Sequence, residues 1–493
     1  DRLRVVWVAH HVLVDGVSWR ILREDLTTAY HQAVTGRPVD LGVKTTAFPH
    51  WAQALREHTR AGGFTDQLHY WRQAIPTSQD LRLPVDAAEG DHSVGAQDRV
   101  RVVLDQTTTR ELLQDVPGVY RTRIDEVLLT GLARTVRRWT GWPRVPVTVE
   151  GHGREEVLPG VEVSRTVGWF TSIYPVTVEL SPRGEWAGDV LAVKEQLRGV
   201  PDRGIGYGAL RYLTGGGSPD SGLDTDGEPR ISLNYLGQFD TTTGEQEWIG
   251  DWRLNPGGEH HPGETRTHLL EVVAQVRNGR LEIDWWYSPG LHHEDTVHGL
   301  AESFLTELSG FVAHCRQPGA GGVSPSDFPL VALDQDTVTR LAGTGRAVTE
   351  LYPLTGLQAG MLFHAVADPA SVAYLEQLSC VLEGVDQPGL VAVAWQRVVN
   401  AHEALRVSVA WREVPDPVQV VHREVEVPIT VEDWSGYEGG EQDRRWREYQ
   451  RRDQGVAFDL ERAPLMRVLL AGLGEGRVRV VWTFHHLLLD GWS

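Results

Sequence analysis

The two ends of the chain carry nearly the same sequence. Residues 4–16 read Arg-Val-Val-Trp-Val-Ala-His-His-Val-Leu-Val-Asp-Gly, and residues 479–491 read Arg-Val-Val-Trp-Thr-Phe-His-His-Leu-Leu-Leu-Asp-Gly. Aligned without a gap at an offset of 475, residues 2–16 and 477–491 agree at ten of fifteen positions, including both histidines, the aspartate and the glycine. A self-match at a fixed period marks a repeated unit, and a period this long means that the unit is a whole domain rather than a turn of a solenoid. Any fold assigned to the chain must therefore supply the same local structure twice.

Both copies follow one local logic. An apolar β-branched run (Val5, Val6, Trp7, Val8 in the first) predicts a buried strand, and Asp-Gly predicts the turn after it. His10 and His11, and likewise His485 and His486, then sit where a strand leaves its sheet, where side chains commonly meet a substrate. Imidazole titrates near neutrality and can take or give a proton there. An incidental His-His pair is the bland alternative. The chain holds two such decoys, His260-His261 and His292-His293, neither followed by the Asp-Gly turn. Zinc fits poorly, since no cysteine or third histidine stands at ligand spacing, and no metal is expected.

At 493 residues, 41% of them apolar, the chain has room for two to four domains. A net charge of -20 argues against nucleic acid or an anionic membrane as partner. Two cysteines, Cys315 and Cys380, cannot build a disulfide framework and point to a reducing, cytoplasmic setting. Neither a signal peptide nor a membrane-length apolar run is visible. Lys44 and Lys194 are the only lysines and neither sits in a cofactor pattern; the arginine bias reads as a GC-rich coding signature. Asp1 leads straight into a strand and Ser493 stops just past a turn, so the chain is expected to be a fragment.

In order along the chain, Leu22, Leu26, Ala29, Tyr30 and Ala33 predict a helix closed by Gly36 and Pro38. Trp51 with Leu55, and Leu68 with Trp71, predict two more. Val100, Val102 and Leu104 alternate as a strand, and Ile124 to Leu132 open a long helix. The strand beginning at Val145 ends in Glu150-Gly-His-Gly-Arg-Glu155, where acid, imidazole and guanidinium collect on glycines that let backbone approach a ligand; a charged surface turn is the competing reading. Ser164 to Val176 mixes hydroxyls with Trp169 and would suit a channel wall, or core. Residues 188–199 and 204–213 predict helices, and Gly215 to Asp226 a loop whose glycines lack the pattern of a phosphate loop. Ile231-Ser-Leu-Asn-Tyr-Leu-Gly-Gln-Phe-Asp240 predicts a strand and turn. Asn278-Gly279 predicts a type I′ hairpin, and Val297 to Phe311 an amphipathic helix, with His292, His293, Asp295 and His298 read as its solvated start. Residues 317–350, rich in Pro, Gly, Ser and Asp, predict an interdomain linker with one short helix at Val338 and Leu341. Beyond it, Leu351-Tyr-Pro-Leu-Thr-Gly-Leu-Gln-Ala-Gly-Met-Leu-Phe-His364 opens a second domain, followed by a strand from Tyr374 and a helix from Gly389.

Asp15-Gly-Val-Ser-Trp-Arg-Ile-Leu22, the Glu150 to Glu155 block, Arg165-Thr-Val-Gly-Trp-Phe-Thr-Ser172 and Asn234 to Asp240 together resemble the epimerisation domain of nonribosomal peptide synthetases. Residues 352–364, His402-Glu-Ala-Leu-Arg406 and the closing His485 to Ser493 resemble the condensation domain of a following module. The His-His-x-x-x-Asp-Gly motif by itself is shared with other acyltransferases; the Glu150 and Asn234 blocks are the specific ones.

The resemblance implies the α/β fold of chloramphenicol acetyltransferase, two lobes with the second histidine of each motif in a tunnel between them. It implies an epimerisation domain lacking its N-terminal lobe over 1–316, a linker over 317–350, and the N-terminal lobe of a condensation domain over 351–493, truncated after its motif. Both breaks would fall at the equivalent point, so residues 17–316 and 351–493 would be opposite lobes of two domains, expected to stay separate halves. It further implies L-to-D inversion at Cα of an aminoacyl or peptidyl thioester, then amide formation with the D-configured donor. The substrate would ride on the phosphopantetheine of a carrier protein, with no cofactor bound directly; carrier domains upstream and downstream and adenylation domains of the same assembly line would be the partners. His11, Glu150 and His486 take the catalytic places. His10, Asn234, Tyr235 and His485 support them, and Asp15 and Asp490 are expected to hold their loops by salt bridges to arginine. Inversion needs titratable groups on both faces of Cα, which His11 and Glu150 supply in either order; backbone amides and Tyr235 are candidate donors to the enolate oxygen. Tandem condensation domains without epimerisation, or a non-catalytic docking or gating module, are the alternatives, and Glu150 discriminates, because amide formation needs no second base.

Overall fold

In a computed structural model of the chain, residues 6–75, 82–214, 223, 228–238, 261–368 and 371–493 are described. They belong to two compact units, the first running to Pro318 without Val119–Arg121, the second taking in those three residues and Gly319 onward.

The first unit is built on a six-stranded sheet. Its strands are β1 (Asp98–Leu104), β2 (Arg144–Gly151), β3 (Ser172–Glu179), β4 (Ile231–Gln238), β5 (Leu270–Arg277) and β6 (Arg280–Tyr287), in the order β1-β6-β5-β4-β2-β3. β4 runs parallel to both β2 and β5, and the other pairs are antiparallel. The β5–β6 connection is the expected two-residue hairpin, with Asn278 and Gly279 both at positive φ (51° and 68°). That geometry matches the twist of the strands it joins. Helix α1 (Gly16–Val34) follows the first histidine motif. Helices α2 (Ile124–Thr140) and α3 (Glu294–Cys315) pack against each other, and α3 also packs on β1. Between them, Val127, Leu128, Leu132, Val297, Phe304, Leu308 and Phe311 are buried at 1% exposure or less. Leu, Phe and Val recurring at helical spacing made these faces, and burying a side chain of this size is worth about 1.5–3 kcal/mol.

The second unit holds two sheets. β7 (Val348–Pro353), β10 (Val418–His422) and β9 (Val407–Ala410) form an antiparallel three-stranded sheet in that order. The other has the order β11 (Ile429–Asp433), β12 (Met466–Gly474), β13 (Arg477–His485), β8 (Leu375–Glu383), with only the β11–β12 pair parallel.

Several expectations change here. Residues 6–9 of the first motif are not a strand, and Val6 and Val8 are each 85% exposed. The second copy is a strand, β13, hydrogen-bonded to β12 on one side and β8 on the other. The same residues behave differently because a strand exists only where neighbours accept its backbone bonds, and among the described residues 6–9 have none. Residues 317–350 are more than a linker. Val323, Phe328, Val338 and Ala342 pack with Val348, Leu351, Val418 and Val420, and helix α4 (Gln335–Ala342) lies in this stretch, capped by Asp334. Spaced apolar residues among glycines and prolines were enough for a small core. His292 is not solvated: it is buried, its Nε2 donates to the Pro84 carbonyl at 3.0 Å, and burial lowers its pKa. The loop from Gly215 to Asp226 lies outside the described residues apart from Leu223, as do Phe239, Asp240 and His260. No described helix is long and apolar enough to cross a membrane.

Candidate functional site

In the first unit the site grows from the ends of β2 and β4. These parallel strands pair Thr148 with Ser232 and Val149 with Leu233. Continuing that register brings Glu150 beside Asn234 on one face, since side chains alternate along a strand. Asn234 Nδ2 donates to Glu150 Oε2 at 2.6 Å. The Glu150 side chain opens to water at one edge, yet protein surrounds it so closely that lost hydration raises its pKa; a charged His11 opposes that rise and Glu271 adds to it. His11 and Glu150 therefore lie within electrostatic reach of each other. The His11 ring also meets that of Trp169, centroids 5.2 Å apart, and Trp169 remains 43% exposed. Sequence singled out Trp169 as a wall residue, and it stands beside the imidazole.

Asp15 organises the backbone around these groups. It is 3% exposed and caps α1, with Oδ1 accepting from the Ser18 amide at 2.7 Å. Its Oδ2 accepts from the Phe170 amide at 3.1 Å, and Arg154 Nη2 donates to both oxygens at 3.1 and 3.2 Å. Arg154, its side chain 6% exposed, also donates through Nη1 to the carbonyls of Val163 (2.8 Å) and Thr166 (2.6 Å), and lies over the Phe170 ring at 4.1 Å. Ser18 Oγ closes the network onto the Gly168 carbonyl at 2.8 Å. The histidine turn, the Glu150 loop and the Trp169 loop thus meet on one buried carboxylate. Packing requires a glycine at 153 of the Glu150 loop: at Gly153 (φ +65°) an added Cβ would lie 1.6 Å from the Phe170 carbonyl oxygen.

Other expected residues fall elsewhere. Tyr235 pairs with Ala274 and shares its strand face with buried Leu233, opposite the face of Asn234 and Glu150. His10 Nδ1 accepts from the Val12 amide at 3.2 Å and shapes the turn.

The second unit repeats that last bond, His485 Nδ1 accepting from the Leu487 amide at 3.1 Å. His485 is buried, and desolvation, then its neighbour His486, push its pKa down to about 4. It stays neutral at pH 7. His486 Nδ1 faces the Leu489 carbonyl at 2.8 Å, and a carbonyl only accepts, so in the neutral ring the proton sits on Nδ1 and the lone pair on Nε2. That is the tautomer of a general base. Asp490 has no arginine partner among the described residues. Its Oδ1 accepts from the Trp492 amide (3.0 Å), the Ser493 amide (3.0 Å) and the Ser493 hydroxyl (2.8 Å), bonds that hold its pKa low. Arg406 donates to the His422 and Arg423 carbonyls.

A family model described as the condensation domain matches residues 1–328 and 348–493. The chain belongs to the condensation-domain family. One of the linear gramicidin synthase proteins of Brevibacillus parabrevis is 42% identical over 494 residues, which are 99% of this chain and 9% of that protein. Bacitracin synthase 1 of Bacillus licheniformis is 33% identical over 488 residues, 98% of this chain and 9% of that protein. The chain thus spans about a tenth of the length of such curated relatives. Among solved structures, the epimerization domain from the third module of tyrocidine synthetase B is 35% identical with a TM-score of 0.57, over 62% of this chain and 68% of that one. The fold class is the one expected, the two-lobe α/β class of condensation and epimerisation domains, related to chloramphenicol acetyltransferase.

Proposed function

We propose that this member of the condensation-domain family works within a nonribosomal peptide synthetase, where residues 1–316 belong to an epimerisation domain and residues 351–493 to a condensation domain. The first inverts Cα of a carrier-bound aminoacyl or peptidyl thioester from L to D; the second couples the D-configured donor to the next carrier-bound amine. The substrate arrives on the phosphopantetheine of carrier domains upstream and downstream, loaded by adenylation domains of the same assembly line. The observation that carries the reading is the Glu150 carboxyl, held by Asn234 within electrostatic reach of His11. Support also comes from the likeness to a solved epimerization domain and to linear gramicidin synthase.

Inversion breaks the Cα–H bond on one face and forms it on the other. One of His11 and Glu150 takes the α-proton as its bonding pair moves into a C=C bond and the thioester carbonyl pair moves onto oxygen. The other gives a proton to the opposite face as the enolate collapses back. One group then holds an extra proton and the other lacks one, and exchange with water resets both. Burial raises the Glu150 pKa and so favours its protonated carboxyl, the form that can give a proton. In the second unit, the amine nitrogen bonds to the donor thioester carbonyl carbon while His486 Nε2, left free by the Nδ1 contact with Leu489, accepts its proton; the C–S bond then breaks and the pantetheine thiolate leaves, taking that proton back from His486.

Supplying the module that contains this chain with an L-aminoacyl carrier and measuring the chirality of the residue released tests the first half. A mixture of L and D is expected; complete retention of L would leave tandem condensation domains as the reading. For the second half, His486→Ala should stall transfer without slowing epimerisation upstream. The intact protein should couple D-donors in preference to L-donors, and equal coupling would contradict the filter.

A further inference from the structure

The segment Leu351 to His364 holds none of the residues assigned a chemical role above. Helix α5 (Gly356–Ala367) starts with a capping box, the Gln358 amide donating to Thr355 Oγ1 and the Thr355 amide donating to Gln358 Oε1 at 2.9 Å. Gln358 does more than cap. Its Nε2 donates to the carbonyl of Leu487, the residue after His486, at 3.0 Å. Its Oε1 accepts from Nε2 of Gln419, a buried residue of β10, at 3.1 Å. The amide of Leu487 is already taken by His485 Nδ1. Leu487 is thus gripped at both its amide and its carbonyl, and His486 precedes it, with its own amide donating to the Tyr374 carbonyl at 2.7 Å. The turn from His485 to Leu489 must keep its course for the Leu489 carbonyl to meet His486 Nδ1.

We propose that Gln358 is a positioning residue for His486: by holding the Leu487 carbonyl it fixes the turn that keeps the imidazole proton on Nδ1 and leaves Nε2 free as the base. The inference rests on the reading of His486 as the base of amide formation. It ties the Thr355-Gly-Leu-Gln358 segment to the histidine turn by one donated hydrogen bond, a class of interaction worth about a fivefold change in an equilibrium.

The decisive variant is Gln358→Glu. It keeps an oxygen for the Thr355 amide, so the helix start is retained, but it cannot donate to Leu487. Gln358→Met removes both contacts and serves as the comparison. In the full chain labelled with 15N-histidine, His486 is assigned by the signal missing from His486→Gln, and the ring nitrogen shifts report its tautomer. The Nδ1-H to Nε2-H ratio should fall about fivefold in both variants, with kcat for amide formation in the whole synthetase falling in step and the donor KM unchanged. A Gln358→Glu protein with lowered unfolding midpoint but unchanged tautomer and unchanged kcat overturns the positioning role, leaving only a structural one. If the tautomer shifts while neither these variants nor His486→Ala slow amide formation, the positioning stands and the functional reading of His486 falls.

Discussion

Asp15→Ala should unfasten the first site without touching a reacting group. The carboxylate is 3% exposed and serves four donations: the Ser18 amide at 2.7 Å, the Phe170 amide at 3.1 Å, and Arg154 Nη2 to each oxygen at 3.1 and 3.2 Å. Its loss strands the Arg154 cation, whose pKa burial already pulls down against the stabilising pull of Asp15. Removing one partner of a buried ion pair costs about 3–5 kcal/mol, because the other charge stays buried alone. Loss of the helix cap adds about 1 kcal/mol, and the terms overlap because they share atoms. Whole domains are stable by only about 5–15 kcal/mol, so the region should open locally well before the rest. Since two units need not unfold in one step, hydrogen exchange is a better assay than a single melting curve. Amides of 15–20 and 163–170 should exchange at least about a hundredfold faster, the equivalent of roughly 3 kcal/mol. Asp15→Asn, which removes charge but keeps shape, should show much of the effect, and adding Arg154→Met should restore part of the protection. Protection within about threefold of the wild type in Asp15→Asn, or strictly additive costs in the double variant, would refute the stranded-charge argument.

His485 sets an acid limit on the second unit: its pKa falls from 6.5 unfolded to about 4 folded, so its contribution is intact above pH 6.5 and is lost as pH drops toward 4. The loss amounts to about 3 kcal/mol, which should appear as a falling unfolding midpoint that His485→Gln makes shallower. Glu150 has the opposite sign, since a carboxyl with a raised folded pKa destabilises the fold as pH climbs above its unfolded value of 4.5. Glu150→Gln should gain stability relative to the wild type between pH 4 and 7 in paired melting curves, and a relative loss over that range would contradict the burial argument. Asn234→Ala should slow exchange of the substrate α-proton by about fivefold or more, the worth of one lost hydrogen bond to Glu150, whereas Tyr235→Phe should leave it within about twofold; equal effects would put Tyr235 in the site.

The sequence carried the local grammar well and the partnerships poorly. Apolar spacing located β1, α2 and α3, and Asn278-Gly279 located the hairpin, because each depends on residues within one element. The first motif failed as a strand although its twin succeeded, since no single strand encodes who will hydrogen-bond to it. The same limit hid the contact of Asn234 with Glu150, which exists only through the parallel register of β2 and β4. Asp15 was legible as a residue wanting an arginine, but not that the arginine would be Arg154. Asp490 carries the same motif and bonds to Trp492 and Ser493 instead. Alternation along β4 would have separated Tyr235 from Asn234 had the face of Glu150 been known.

The most direct test of a two-group inversion is deuterium wash-in at Cα from each enantiomer in turn, on carrier-bound substrate in heavy water, with Glu150→Gln and His11→Ala compared. Two groups on opposite faces predict that each variant loses net inversion, and that Glu150→Gln still exchanges the proton of the one enantiomer whose Cα–H bond faces His11. His11→Ala should show wash-in, if any, only from the other enantiomer. Full epimerisation by Glu150→Gln, at the wild-type rate from both enantiomers, would contradict the proposal and make the Glu150 to Glu155 block a structural turn.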